Sequence, residues 1–215
     1  MTLEKKVIYT TSNTYHTLNS LHKKTKNVWL VFHGMGYLSK YFIKHFSSID
    51  PSENFIIAPQ APSKYYQGTG FKHVGASWLT RENTLEDTKN ILAYIDKVVE
   101  TELLSTIPKL IVLGYSQGVS VATRWLSSRK ISCDHLVLHS GGIPTELTKE
   151  DFEYLPKSSQ VTYTYGDEDQ YITEARKTEE MLKGARLFGD RLSVKVFNGV
   201  HEINNDFIKE LAQEK

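Results

Sequence analysis

The chain has 215 residues, of which 40% are hydrophobic and 24% charged, and its formal net charge is +1. That size and composition suit one globular domain with a buried core, so a single domain over residues 1–215 is expected. Such an even charge balance offers no electrostatic reason to expect nucleic acid or an anionic membrane as a partner, and the single cysteine, Cys133, excludes an internal disulfide.

The N-terminal MTLEKKVIYTTSN holds no apolar stretch of secretory-signal length, and no later run is long enough to span a bilayer. A soluble, cytoplasmic protein without stable membrane insertion is therefore expected. Val7–Thr10 and Thr14–Leu18 are rich in β-branched and aromatic residues around Ser12-Asn13, which predicts an antiparallel hairpin. NVWLVFHG then reads as a strand buried on both faces, followed by a glycine turn. Ser39–Phe46 has helical spacing at Tyr41, Phe42, His45 and Phe46, and Phe55–Pro59 reads as another buried strand. Residues 60–80 are rich in Gly, Ser and aromatics with no sustained period, so they read as a long surface loop of the kind that lines a site. A helix follows from about Asn83 to Glu100, with Leu85, Ile91, Leu92, Ile95 and Val99 on one face. Strand KLIVLG, helix QGVSVATRWLSS, strand HLVLHSGG, the helical piece ELTKEDFEYL, strand QVTYTYGDED, helix ITEARKTEEMLKGARLF, strand LSVKVFNG and helix INNDFIKELA complete the chain. From residue 28 onward strands alternate with helices, the pattern of an α/β protein with a mostly parallel sheet covered on both faces.

Sites in such sheets collect at the carboxyl ends of the strands. In chain order those ends carry His33-Gly34-Met35-Gly36, Pro59-Gln60-Ala61-Pro62, Tyr115-Ser116-Gln117, Ser140-Gly141-Gly142, Gly166-Asp167-Glu168-Asp169 and Gly199-Val200-His201. GYSQG, placed between a strand and a helix, has the form of a nucleophile elbow, in which small flanking residues permit a sharp turn. A serine hydroxyl needs a base beside it, and the base needs a third group to fix its tautomer. The order Ser…acid…His is met by Ser116, the GDED cluster and His201. Among the other histidines, His33 precedes the serine and reads as a brace for the first loop. His135 and His139 read as core or edge residues, and His73 as a surface residue with reach to substrate. Of Asp167, Glu168 and Asp169, the last is preferred, because the orienting group must lie a short way past the strand end. The Gln117 amide, at a helix N-terminus, and the Met35 amide are the candidate oxyanion donors. Trp78, His73 and Tyr37 are the candidate substrate contacts; Tyr65, Tyr66 and Phe71 fit an apolar pocket or a pinned loop equally well.

VFHGMG, APQAP with Trp78 beyond it, GYSQG, GDEDQYI and GVHEI, in this order, resemble the phospholipase/carboxylesterase branch of the α/β-hydrolases, which includes acyl-protein thioesterases and small carboxylesterases. The resemblance implies Ser116, Asp169 and His201 as triad, Met35 and Gln117 as oxyanion donors, and Trp78 near the acyl pocket. It implies hydrolysis of a small-molecule carboxylic ester or thioester, including lysophospholipase-type esters, with neither metal nor cofactor. Two differences stand out: family elbows often continue with a glycine where Val119 stands, and HGMGYLSKY lacks the usual polar residues after its second glycine.

Other readings fare less well. Gly34-Met35-Gly36-Tyr37-Leu38-Ser39 is an imperfect dinucleotide fingerprint, and His201-Glu202-Ile203-Asn204-Asn205 lacks the second histidine of a zinc site. A peptidase on the same fold and a non-catalytic binding protein stay open as alternatives, as does a homodimer through apolar surface near residues 60–80.

Overall fold

The structure, a computed structural model, describes residues 1–102 and 108–214. In chain order the elements are β1 (Tyr15–Leu18), β2 (Asn27–Phe32), the short α1 (Ser39–Phe42) continued by a 3-10 turn over Ile43–Phe46, β3 (Asn54–Pro59), β4 (Ser63–Gln67) and β5 (His73–Ser77). They continue with α2 (Thr84–Glu102), β6 (Leu110–Tyr115), α3 (Gln117–Arg129), β7 (His135–His139), β8 (Gln160–Gly166), α4 (Glu174–Phe188), β9 (Leu192–Phe197) and α5 (Asn205–Gln213). Seven strands form one sheet in the order β1-β3-β2-β6-β7-β8-β9. All neighbours in it run parallel except β1, which pairs antiparallel with β3 from Tyr15 opposite Pro59 to Leu18 opposite Ile56.

The near-continuous apolar runs of the central strands follow from burial on both faces. Along β2, Val28, Leu30 and Phe32 enter the core beneath α2 and α3, while Trp29 and Val31 enter a second core with α1 and α5. The same alternation separates Leu136 and Leu138 from Val137 on β7. With a side-chain period of two, one strand serves both layers and its residues read as an unbroken apolar run.

Three sequence expectations are corrected. The antiparallel arm at the N-terminus is present, but its partner is β3; Val7–Thr10 forms no strand, and Val7 and Ile8 are exposed. Residues 60–80 are no irregular loop: β4 and β5 pair antiparallel from Ser63 opposite Ser77 to Gln67 opposite His73. Every residue of β4 is exposed, so no apolar alternation marks it. On α2, Ile91, Leu92, Ile95 and Val98 face the core, whereas Leu85 is exposed beyond the reach of the sheet. Cys133 is buried, and burial pushes its thiol up to about 12, which leaves it inert as a nucleophile. Among the described residues no helix is long and apolar enough to cross a membrane.

Candidate active site

Ser116 joins β6 to α3 with φ 53° and ψ −117°. A side chain rarely adopts that conformation, which costs on the order of 1–3 kcal/mol and persists only where the surroundings impose it. Here they do. The Ser116 amide donates to the His139 carbonyl at 2.8 Å, and its own carbonyl accepts from Val119 at 3.1 Å. A Cβ on Gly118 would fall on the Phe32 carbonyl oxygen, and one on Gly114 would lie 2.5 Å from the Gly118 carbonyl oxygen. The two glycines of GYSQG therefore let three backbone segments cross, and the turn between them lifts the serine above the sheet.

The structure brings Ser116, His201 and Asp169 together from three separate strand ends. Ser116 Oγ lies 3.1 Å from His201 Nε2, and His201 Nδ1 lies 2.8 Å from Asp169 Oδ2. Asp169 is 5% exposed, and its Oδ1 accepts the Tyr171 amide at 2.9 Å, so both carboxylate oxygens are engaged. The other acids of the cluster have different partners or none. Asp167 accepts the Gly199 amide at 2.9 Å and ties the β8 loop to the β9 loop, while Glu168 is exposed. The imidazole is held between two tyrosines. Tyr115 lies 5.2 Å away on one side and its hydroxyl donates to the His201 carbonyl at 2.9 Å; Tyr171 lies edge-on at 4.7 Å. Sequence reasoning missed both, although Tyr115 stands inside the elbow motif and Tyr171 inside GDEDQY.

The amides of Met35 and Gln117 donate to no protein acceptor among the described residues, whereas the Gly36 amide between them and the hairpin is used, bonding to the Ala76 carbonyl at 2.9 Å. The Gln117 side chain has a further part that its sequence position did not reveal. Its Oε1 accepts the Trp78 amide at 2.8 Å and its Nε2 donates to the Leu79 carbonyl at 2.6 Å. It thus fastens the end of the hairpin to the elbow. Gln67 fastens the other strand, its Nε2 donating to the Gly36 carbonyl at 2.9 Å.

His33 is fully buried and joins the same framework. Its Nε2 accepts the Ala61 amide at 3.1 Å, which leaves the proton on Nδ1 to donate to the Gly34 carbonyl at 2.8 Å. Burial pushes its pKa down to about 4, so it is neutral and holds the first loop in place. His139 is likewise buried and neutral, pushed down to about 3; its Nε2 accepts the Asn204 amide at 3.0 Å beside His201.

Trp78 is packed beneath the first loop and does not line the groove described below. It is 1% exposed, its indole Nε1 donates to the His33 carbonyl at 2.8 Å, and its ring packs on Phe32 and His33. A large apolar ring with one donor is suited to such a wedge, and it braces the loop from beneath. Tyr37 and His73, by contrast, both line a groove of about 550 Å³, together with Met35, Gly36, Lys40, Tyr41, Gln67 and Lys72. Val119, the departure from the family elbow, is buried in the core, and a Cβ at Gly141 would lie 2.5 Å from its Cγ2. The extra side chain at 119 thus fits against a position that has none.

A serine on a strained turn at the end of a central parallel strand, with a histidine and an acid on later strand ends, defines an α/β-hydrolase fold. The chain belongs to the phospholipase/carboxylesterase family, whose model matches residues 13–214. It is similar in structure to acyl-protein thioesterase 2 of Zea mays, at 15% identity and TM-score 0.66 over 94% of this chain and 97% of that one. A phospholipase/carboxylesterase from Dyadobacter fermentans matches at 19% identity and TM-score 0.62, covering 96% of this chain and 97% of the other. Esterase PE8 matches at 19% identity and TM-score 0.67, covering 94% and 97%. At these identities the likeness establishes the shared fold. No curated protein matches the sequence.

Proposed function

We propose that the protein is a serine hydrolase that cleaves small carboxylic esters or thioesters through an acyl-enzyme. The observation that carries this reading is the in-line pair of contacts, Ser116 Oγ to His201 Nε2 at 3.1 Å and His201 Nδ1 to Asp169 Oδ2 at 2.8 Å. With Asp169 accepting the Nδ1 proton, Nε2 is free to act as base. As Oγ attacks the substrate carbonyl carbon, its proton passes to Nε2, and the carbonyl oxygen gains charge facing the amides of Met35 and Gln117. Collapse of the tetrahedral intermediate breaks the bond to the alcohol or thiol, which leaves with the proton from Nε2. Water then repeats the sequence: His201 takes its proton, the hydroxide adds to the acyl carbon, and Ser116 departs with the proton restored. The products are a carboxylic acid and an alcohol or thiol.

Family membership and the fold shared with an acyl-protein thioesterase support including thioesters beside oxygen esters in the test. Fluorophosphonate labelling of the folded protein is expected at Ser116 and is expected to vanish in Ser116→Ala, together with p-nitrophenyl butyrate hydrolysis. A folded wild type that resists the probe and turns over no ester would overturn the reading. A matched series of oxygen esters, thioesters and aminoacyl amides then sets the reaction class by kcat/KM.

A further inference from the structure

The groove beside the candidate oxyanion site has a chemical character that the hydrolytic steps do not use. It is reached from the serine through one short segment: an ideal Cβ on Gly34 would lie 3.0 Å from Ser116 Cβ, and the next two residues in the chain, Met35 and Gly36, line the groove. The walls come from two independent elements, α1 with Lys40 and Tyr41 and the β4–β5 hairpin with Lys72 and His73. The hairpin is fixed to Gly36 through the Gln67 and Gly36 hydrogen bonds described above.

The charge of this groove is one-sided. Lys40 and Lys72 both line it, and no aspartate or glutamate among the described residues does. Neither lysine forms an ion pair with any of the described residues, although many other lysines and arginines among those residues do. The Lys40 ammonium sits 4.8 Å above the Tyr41 ring, which keeps it over the groove wall, and Lys44 approaches the same ring at 5.4 Å. On a chain whose net charge is only +1, this is a local concentration of unmatched positive charge in the groove that Met35 and Gly36 line. A cleft lined by one sign of charge raises the local concentration of the opposite sign, and an ammonium is a point charge that accepts carboxylate and phosphate alike.

We infer that the groove over Met35–Gly36 receives an anionic group of the substrate, a carboxylate or a phosphate, between Lys40 and Lys72. The assignment rests on the reading of Ser116 as nucleophile and narrows its substrates to esters carrying a negative charge a few bonds from the scissile carbonyl.

Two pairs of esters test it and separate the sources of charge. p-Nitrophenyl hemiglutarate against p-nitrophenyl butyrate places a carboxylate on the acyl side; the butyrate ester of glycerol 3-phosphate against monobutyrin places a phosphate on the alcohol side. At low salt the anionic member of at least one pair is expected to have a kcat/KM at least tenfold higher than its neutral partner, chiefly through KM. That preference is expected to shrink in 0.5 M NaCl, to fall at least fivefold in K40E and K72E, and to survive in K40R and K72R. Circular dichroism checks folding, and K40Q/K72Q replaces any charge-reversed variant that fails it. Absence of preference in both pairs, or a preference that K40E/K72E and K40Q/K72Q both keep, would overturn the assignment. Failure of the nucleophile reading looks different: all four esters stay intact and Ser116 is unlabelled. Isothermal titration of glutarate and glycerol 3-phosphate then decides the groove, since binding that K40E/K72E abolishes keeps the anion site and absence of binding to the wild type ends it.

Discussion

The Asp169 carboxylate has both oxygens engaged, one on the imidazole and one on the Tyr171 amide, so its geometry is over-determined in a way that its neighbours' is not. Asp169→Asn should leave the position filled but present either an amide donor or a weaker acceptor to Nδ1, favouring the wrong tautomer of His201. By the known behaviour of such replacements, kcat on p-nitrophenyl butyrate is expected to fall about 10⁴-fold with KM little changed. A fall of less than tenfold would assign the orienting role to another acid. Gly118 offers a test of the elbow itself. Gly118→Ala directs a methyl at the Phe32 carbonyl oxygen, backbone that has no room to yield, and the variant is expected to lose cooperative thermal unfolding. At this scale the sequence was most informative where side chain types recur in order: Ser116 and His201 stood out as candidates, while the GDED cluster left three acids, of which the structure brings Asp169 to His201. Trp78 was not legible, because an aromatic near a glycine-rich stretch reads the same whether it faces substrate or, as here, the His33 carbonyl beneath the loop.

Among the elements, the strands of the central sheet were legible because burial on both faces leaves an unmistakable apolar run. The β4–β5 hairpin was not. Its strands are held by their mutual ladder and by polar side chains, Gln67 on Gly36 and Gln117 on Trp78 and Leu79, and hydrogen bonds of that kind leave no period in a sequence. The N-terminal strand was identified with the wrong partner for a related reason, since local turn residues hint at a hairpin while the true pairing to β3 spans some forty residues. The hairpin's attachment predicts a measurable defect. Gln117→Ala keeps the backbone amide but strands the Trp78 amide and the Leu79 carbonyl, at a cost of about 1–3 kcal/mol in urea unfolding. Hydrolysis should fall as well, because the hairpin end and the elbow lose their common anchor; unchanged stability and turnover would count against the strap.

For the molecule as a whole, three buried histidines set the response to acid. His33, His135 and His139 are held neutral by burial, with pKa values pushed down to about 4, about 4 and about 3. The unfolded chain binds their protons near pH 6.5, so between that pH and about 4 it holds more protons than the folded protein. Stability contributed by the neutral rings is complete above pH 6.5 and is lost as the pH falls, with a slope of up to about 1.4 kcal/mol per pH unit for each ring. Urea titrations from pH 7 to pH 5 are expected to show that decline. His135, hydrogen-bonded to Thr162 at the sheet end opposite the site, gives the cleanest check: His135→Gln should flatten the slope by about one proton. An unchanged slope would show that His135 titrates normally. The apolar strand marked His135 and His139 as core or edge residues, but the depth of burial that holds them neutral, and the partners Thr162 and Asn204 that satisfy their ring nitrogens, come only with the fold.

The double duty of Gln117 bears on how this scaffold can be altered. One residue offers its amide beside the serine and its carboxamide to the end of the hairpin whose other residues line the adjacent groove. A hairpin transplanted from a relative, or lengthened to change what the groove admits, would reach the elbow through that same side chain. Any such graft must carry a matching residue 117 or disturb the neighbour of Ser116, so the hairpin and the elbow are one unit of inheritance and of engineering.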